Sequence, residues 1–170
     1  MQVNEDYLDR VDSCEQIDVD IYNILADEQC VETDVEMDEM WSFYHDKGHQ
    51  IWLWWAVDHN TNVPLAYTFG TREHDNLDAL LELLKPFNIG TAYTDGNYAY
   101  QERLIDINHL IGKRNTQGIE RHHLTLRTRV KRLTRKSICF SKTEEMHKIV
   151  VGNFINTYFF NRKLDISTYL

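Results

Sequence analysis

No run in the sequence approaches the roughly 20 consecutive apolar residues that a membrane helix requires. The first 30 residues also lack the basic start and apolar centre of a secretory leader, so a cytosolic protein is the expectation. Cysteine is scarce: Cys14, Cys30 and Cys139 are odd in number and none stands in a C-x-x-C pair. That excludes a disulfide framework and a zinc finger written in cysteines, and leaves the thiols idle. No internal repeat or low-complexity linker divides the chain. Its 170 residues are the length of one domain, and 42% apolar with 12% aromatic residues suffice for a core.

Charge is present in quantity and unevenly spread. The net of −9 argues against a nucleic-acid partner only until it is resolved along the chain. Residues 1–40 carry 14 acids and a single base, Arg10, whereas residues 113–136 carry nine bases and a single acid, Glu120. Residues 1–30 show no clear hydrophobic period and read as an acidic lead segment, flexible or loosely docked. Residues 31–170 read as the structured domain. The basic stripe has two readings, a phosphate-tracking surface or a solvated face neutralised by the acidic lead segment.

Three strands are expected first, in "VETDVEMDEMWSFY" (31–44), "QIWLWWAVDH" (50–59) and "VPLAYTFG" (63–70). Leu77, Leu80, Leu81 and Leu84 then recur at helical spacing, with Asp75 or Asn76 near the helix start and Pro86 past its end. "IGTAYTD" gives a fourth strand, "YAYQERLI" a short helix and "HLIGK" a fifth strand. A long helix is expected through "TQGIERHHLTLRTRVKRLTRK" (116–136), and an extra C-terminal helix through "TEEMHKIVVGNFINTYFF". The order β-β-β-α-β-α-β-α is that of a ribonuclease H-like α/β fold, a mixed five-stranded sheet flanked by helices, though other mixed sheets share it.

In this order Asp38 lies in the first strand, Asp95 ends the fourth and Glu120 opens the long helix. First and fourth strands are neighbours in such a sheet, so acids far apart in sequence can meet. Asp95-Gly96 alone would satisfy a turn, and Glu36 and Glu39 compete locally with Asp38. Two ionised carboxylates about 4 Å apart repel by about 4 kcal/mol at an effective dielectric near 20, so a cluster needs a proton or a cation. Oxygen ligands select Mg²⁺ or Mn²⁺, and two such ions suit phosphodiester chemistry. On an uninterrupted helix, Ile119, Leu126, Val130 and Leu133 form an apolar face, while Glu120, Leu124, Arg127 and Lys131 share the face beside it. Phosphates would track along Arg127 and Lys131, with Arg121 and other bases further out.

"VEMDEMW", "YTDGNYAY" and "GKRNTQGIERHHLTLRTRVKRLTRKSICFSK" resemble the catalytic part of the transposases of the bacterial insertion sequence one family, over roughly residues 35–160. These are DDE recombinases with a ribonuclease H-like core. The resemblance implies an acidic triad of Asp38, Asp95 and Glu120, with 24 residues between the last two. With it go the two Mg²⁺ or Mn²⁺ ions already expected from the oxygen ligands, and the expected DNA contacts are Lys113, Arg114, Arg121, His123, Arg127 and Lys131. His123 departs from the family pattern, where Asn commonly follows E-R-H. The implied activity is hydrolysis at transposon ends, followed by attack of the freed 3′-hydroxyl on target double-stranded DNA in the bacterial cytosol. Work on two DNA ends implies a homo-oligomer. Nothing before residue 35 resembles the zinc-finger and helix-turn-helix region that an upstream reading frame supplies in the family. Two other functions stay open: a ribonuclease H-like nuclease or resolvase, and a non-catalytic regulatory DNA-binding product.

Among the remaining side chains, His45 and His49 flank a hairpin turn and read as exposed loop residues. Trp52, Trp54 and Trp55 read as core packing rather than base-stacking groups.

Overall fold

The computed structural model describes residues 32–160, and the acidic lead segment expected at residues 1–30 lies outside them. Five strands form one mixed sheet in the order β3-β2-β1-β4-β5. They are β1 (Thr33–Phe43), β2 (Gln50–Asp58), β3 (Pro64–Gly70), β4 (Ile89–Thr94) and β5 (Asn108–Ile111). Only β2 runs against the others: β1–β2 and β2–β3 are antiparallel, β1–β4 and β4–β5 parallel. This is the ribonuclease H-like arrangement.

Alternation along β2 explains why it sits inside the sheet. Trp54 and Ala56 face one core with Val35 and Met37, and Leu53, Trp55 and Val57 face the other with Met40. Helices α1 (His74–Leu84) and α2 (Tyr98–Arg103) cover the first face, through Leu77, Leu80, Leu84 and Tyr100. Helices α3 (Gln117–Arg129) and α4 (Glu144–Tyr158) cover the second, through Ile119, Leu126, Val151 and Ile155. Trp54 and Trp55 are fully buried, whereas Trp52 is half-buried beneath the Arg72 guanidinium. Neither Asp75 nor Asn76 caps α1; the helix begins earlier, and Asn76 folds back onto Thr71.

The long helix expected to residue 136 stops at Arg129. Val130 is extended (φ −93°, ψ 102°), and residues Lys131–Leu133 make one 3₁₀ turn. The apolar spacing misleads because a 3₁₀ turn returns side chains at i+3, so Val130 and Leu133 still reach the same core as Ile119 and Leu126. Lys131 therefore leaves the face that carries Arg127.

Thr143 caps α4 by accepting from the Met146 N–H, and the helix then buries His147 completely. Ser42 Oγ donates to Ile51 O, so its remaining capacity is to accept from His147 Nε2 at 3.0 Å. Burial and the nearby Arg132 charge pull His147 down to about 4. The unfolded chain binds this proton near pH 6.5 and the folded one only near 4. The neutral ring's contribution is thus complete above pH 6.5 and lost as pH falls through 4. The expected loss, on the order of 3 kcal/mol, would appear as a lower melting temperature between pH 7 and 4 that flattens in His147→Gln. Equal pH slopes for wild type and variant would refute it.

Candidate functional site

β1 and β4 run side by side in the same direction, with Glu36 opposite Tyr93. Two residues further along each strand stand Asp38 and Asp95, at the same height, where β4 has just ended at Thr94. The crevice beyond the carboxyl ends of parallel strands, where the chain departs to both sides, is the usual place for a ligand in an open α/β sheet. Here Asp38, Glu39 and Asp95 each bring a carboxylate oxygen within 4.8 Å of the other two.

Each acid is held differently. Asp38 Oδ1 accepts from the Glu39 N–H at 2.9 Å, and Asp95 Oδ1 accepts from the Asn97 N–H at 2.8 Å. Glu39 is the most heavily engaged: Oε1 accepts from Arg72 and from Asn97 Nδ2, and Oε2 from the Tyr100 hydroxyl. Tyr100 is fully buried, and burial together with these acids keeps its phenol protonated as a donor. Asp38 is pushed up to about 7, first by burial and then by the charges of Glu39, Asp95 and Glu120. Burial and neighbouring negative charge both act on Asp38, and an all-oxygen donor set of this kind fits a hard divalent cation.

Glu120 is exposed on the first turn of α3 and stands outside the close group, though its charge is felt at Asp38. His123 is buried, with Nδ1 3.5 Å from Asp38 Oδ2. Burial, Arg127 and His122 pull it down to about 3, so this contact pairs a neutral imidazole with the carboxyl rather than forming an ion pair. Its Nε2 is buried without a hydrogen-bond partner among the described residues. Arg127 is half-buried within the field of Asp38, and Arg121 and Lys131 are exposed. Lys113 and Arg114 are exposed on a 3₁₀ turn after β5. The Gly112 N–H before that turn donates to Thr94 O, which brings it to the Asp95 end of the sheet.

The residue that sequence reasoning undervalued is Glu36. It is buried, receives His59 Nδ1 on Oε1 at 2.8 Å, and receives the Ile119 N–H on Oε2 at 2.9 Å. A buried carboxylate thereby fastens the N-terminus of α3 to β1, where an unmet helix N–H and the helix dipole both favour negative charge. Gly118 allows this approach, since a Cβ there would collide with Asn62 Oδ1 and come within 2.9 Å of Glu36 Oε2. His122 adds a bond from Nε2 to Asn62 O at 3.0 Å. The available signal was alternation: Glu36 and Asp38 lie on one face of the strand.

Comparison with known proteins gives four findings. The family described as IS1 transposase matches residues 31–161. The insertion element iso-IS1n protein InsB of Shigella dysenteriae is 50% identical over 125 residues, covering 74% of this chain and 95% of that protein. The insertion element IS1 9 protein InsB of Escherichia coli K12 is 44% identical over 121 residues, covering 71% and 72%. Among solved structures, the catalytic core domain of BIV integrase overlaps 72% of this chain and 84% of its own, at 14% identity and a TM-score of 0.46.

Proposed function

Because the chain belongs to the IS1 transposase family, we propose that it is the catalytic domain that cuts transposon ends and joins them to target DNA. Asp38, Asp95 and Glu120 form its acidic triad. The observation that carries this reading is the meeting of Asp38 and Asp95 at adjacent parallel strand ends, with Asp38 pushed up to about 7 by burial and then by the neighbouring carboxylates. Two Mg²⁺ or Mn²⁺ ions, when bound, would activate the attacking oxygen and stabilise the leaving one.

The chain's own groups do the rest. Asp38 and Asp95 offer the oxygens that their backbone partners leave free, and Glu120 contributes from the first turn of α3. Glu39, held by Arg72, Asn97 and Tyr100, fixes the loop after β4 and so the direction of Asp95. His123 braces Asp38 from the buried side. In the first step water attacks the phosphorus at the transposon end, the P–O3′ bond breaks, and a 3′-hydroxyl is freed. In the second, that hydroxyl attacks the phosphorus of a target phosphodiester, a new P–O bond forms to the transposon 3′-oxygen, and the target's own P–O3′ bond breaks, leaving a target 3′-hydroxyl that takes up the proton. Neither step requires a covalent bond to protein. The partners proposed are double-stranded DNA, further copies of the chain, and a separately encoded zinc-finger and helix-turn-helix region. Among the described residues no helix is long and apolar enough to cross a membrane, and the bacterial cytosol is the proposed location.

The test is strand transfer from a pre-cut end in Mg²⁺. Joined product is expected; nicked DNA without joining would instead favour a nuclease or resolvase. Arg127 and Lys131, together with Lys113, Arg114 and Arg121, are the proposed phosphate contacts. Arg127→Ala and Lys131→Ala should each weaken binding across sequences and lower the slope of log affinity against log salt by about 1. Unchanged slopes would remove both residues from the DNA path.

A further inference from the structure

Beside the carboxylates lies a cavity of about 690 Å³ that the catalytic reading does not use. It arises from strand lengths. β4 pairs with β1 only as far as Glu36, so β1 continues for seven more residues beyond its last contact with β4, through Asp38 to Phe43. The segment leading from α3 to α4 is bridged to the end of this stretch at Tyr44 and Ser141, where the His45 N–H donates to Ser141 O. The cavity is bounded by these two stretches of chain.

Its lining has two halves. Trp41, Phe43 and Phe140 form a ladder of rings with centroids 5.6 and 5.9 Å apart. Arg127, Arg132 and Arg135 supply cations, with Lys47 and Lys136 beside them. The acid in the lining, Asp46, is already engaged by His45, His49 and the Gly48 N–H. Cations alone would suit any phosphate, and rings alone any apolar group. Together they suit a nucleotide whose base is free to stack, because every base has a π-face and every nucleotide of a strand carries a phosphate. A base still paired within a duplex offers no free face to such a ladder. Met40 of the lining stands two residues beyond Asp38 on the same face of β1, which sets the cavity close to the carboxylates.

We propose that this cavity binds one unpaired nucleotide of the DNA strand beside the phosphodiester under attack, with its base on the Trp41, Phe43 and Phe140 rings and its phosphates on the three arginines. The inference rests on the DNA-processing reading of the carboxylates, but its test needs no turnover. The full chain is titrated, without metal, against a labelled short thymidylate oligonucleotide, the same oligonucleotide with abasic sites, and a fully paired duplex. Thymidylate is expected to bind at least about tenfold more tightly than the abasic strand. Trp41→Ala and Phe140→Ala should each weaken thymidylate binding about fivefold or more, leaving abasic-strand and duplex binding within about twofold. Phe140→Leu keeps apolar bulk without a ring and should show the same selective loss, so it decides the matter if an alanine variant fails to fold.

Equal binding of the thymidylate and abasic strands, or unchanged thymidylate binding in the ring variants, would overturn the proposal. A chain that shows ring-dependent base binding and yet performs neither cleavage nor joining would retain the cavity's role while removing the catalytic reading.

Discussion

Asp95→Asn is expected to lower strand transfer by about a thousandfold or more, with DNA binding and the thermal transition close to wild type. The amide is isosteric, so its oxygen still accepts from the Asn97 N–H and the turn after β4 keeps its shape. What disappears is one negative charge at a point where the proposed cations must be held and where charge develops on the transferring phosphate. Losing several kcal/mol of such stabilisation corresponds to a rate loss of this size. The fold should gain slightly rather than lose, because Asp95 is one of the charges that strain Asp38. Chelation of divalent cations should silence the wild type to the same degree, and added Mg²⁺ should restore it. A variant that joins DNA at the wild-type rate would end the catalytic reading and leave a regulatory DNA-binding product in its place.

The second large effect is expected at a residue outside the proposed triad. Glu36→Ala should destabilise the domain by about 3 kcal/mol, read from urea unfolding. It removes a buried carboxylate that meets two groups at once, His59 Nδ1 and the Ile119 N–H. The orphaned helix donor alone costs about 1–3 kcal/mol. Loss of the histidine contact adds less than a fully buried pair would, because the His59 side chain is 32% exposed. Glu36→Gln should cost much less, since its amide oxygen can accept from Ile119 and its amide nitrogen can meet the histidine ring. Strand transfer should follow the same order, with alanine far worse than glutamine, because Glu120 rides on the first turn of the helix that Glu36 fastens. An alanine variant within about 1 kcal/mol of wild type would refute the anchoring role.

The sheet was legible because its signals are local. β-branched and aromatic runs separated by short polar turns define β1 to β3, and leucines at helical spacing define α1. The meeting of Asp38 and Asp95 was also within reach, since it follows once β1 and β4 are neighbours. The end of α3 was not, because Val130 and Leu133 maintain an apolar rhythm that a helix and a 3₁₀ turn share over one step. Glu39 escaped because its buried position comes from Arg72, Asn97 and Tyr100, partners 33 to 61 residues away that no spacing rule connects. The cavity was invisible for the same reason: Phe43 and Phe140 meet only where two distant chain segments are bridged.

β1 carries the helix anchor Glu36 and the acid Asp38 on the same side, facing Val57 and Trp55 of β2. A slip of one residue in that pairing would turn both side chains over together, since every side chain on a strand changes face with an odd shift. Helix α3 would lose its fastening in the same event that took Asp38 from Asp95. The helix anchor and the carboxylate pair are therefore set by one register, and a copy that misses it misses both.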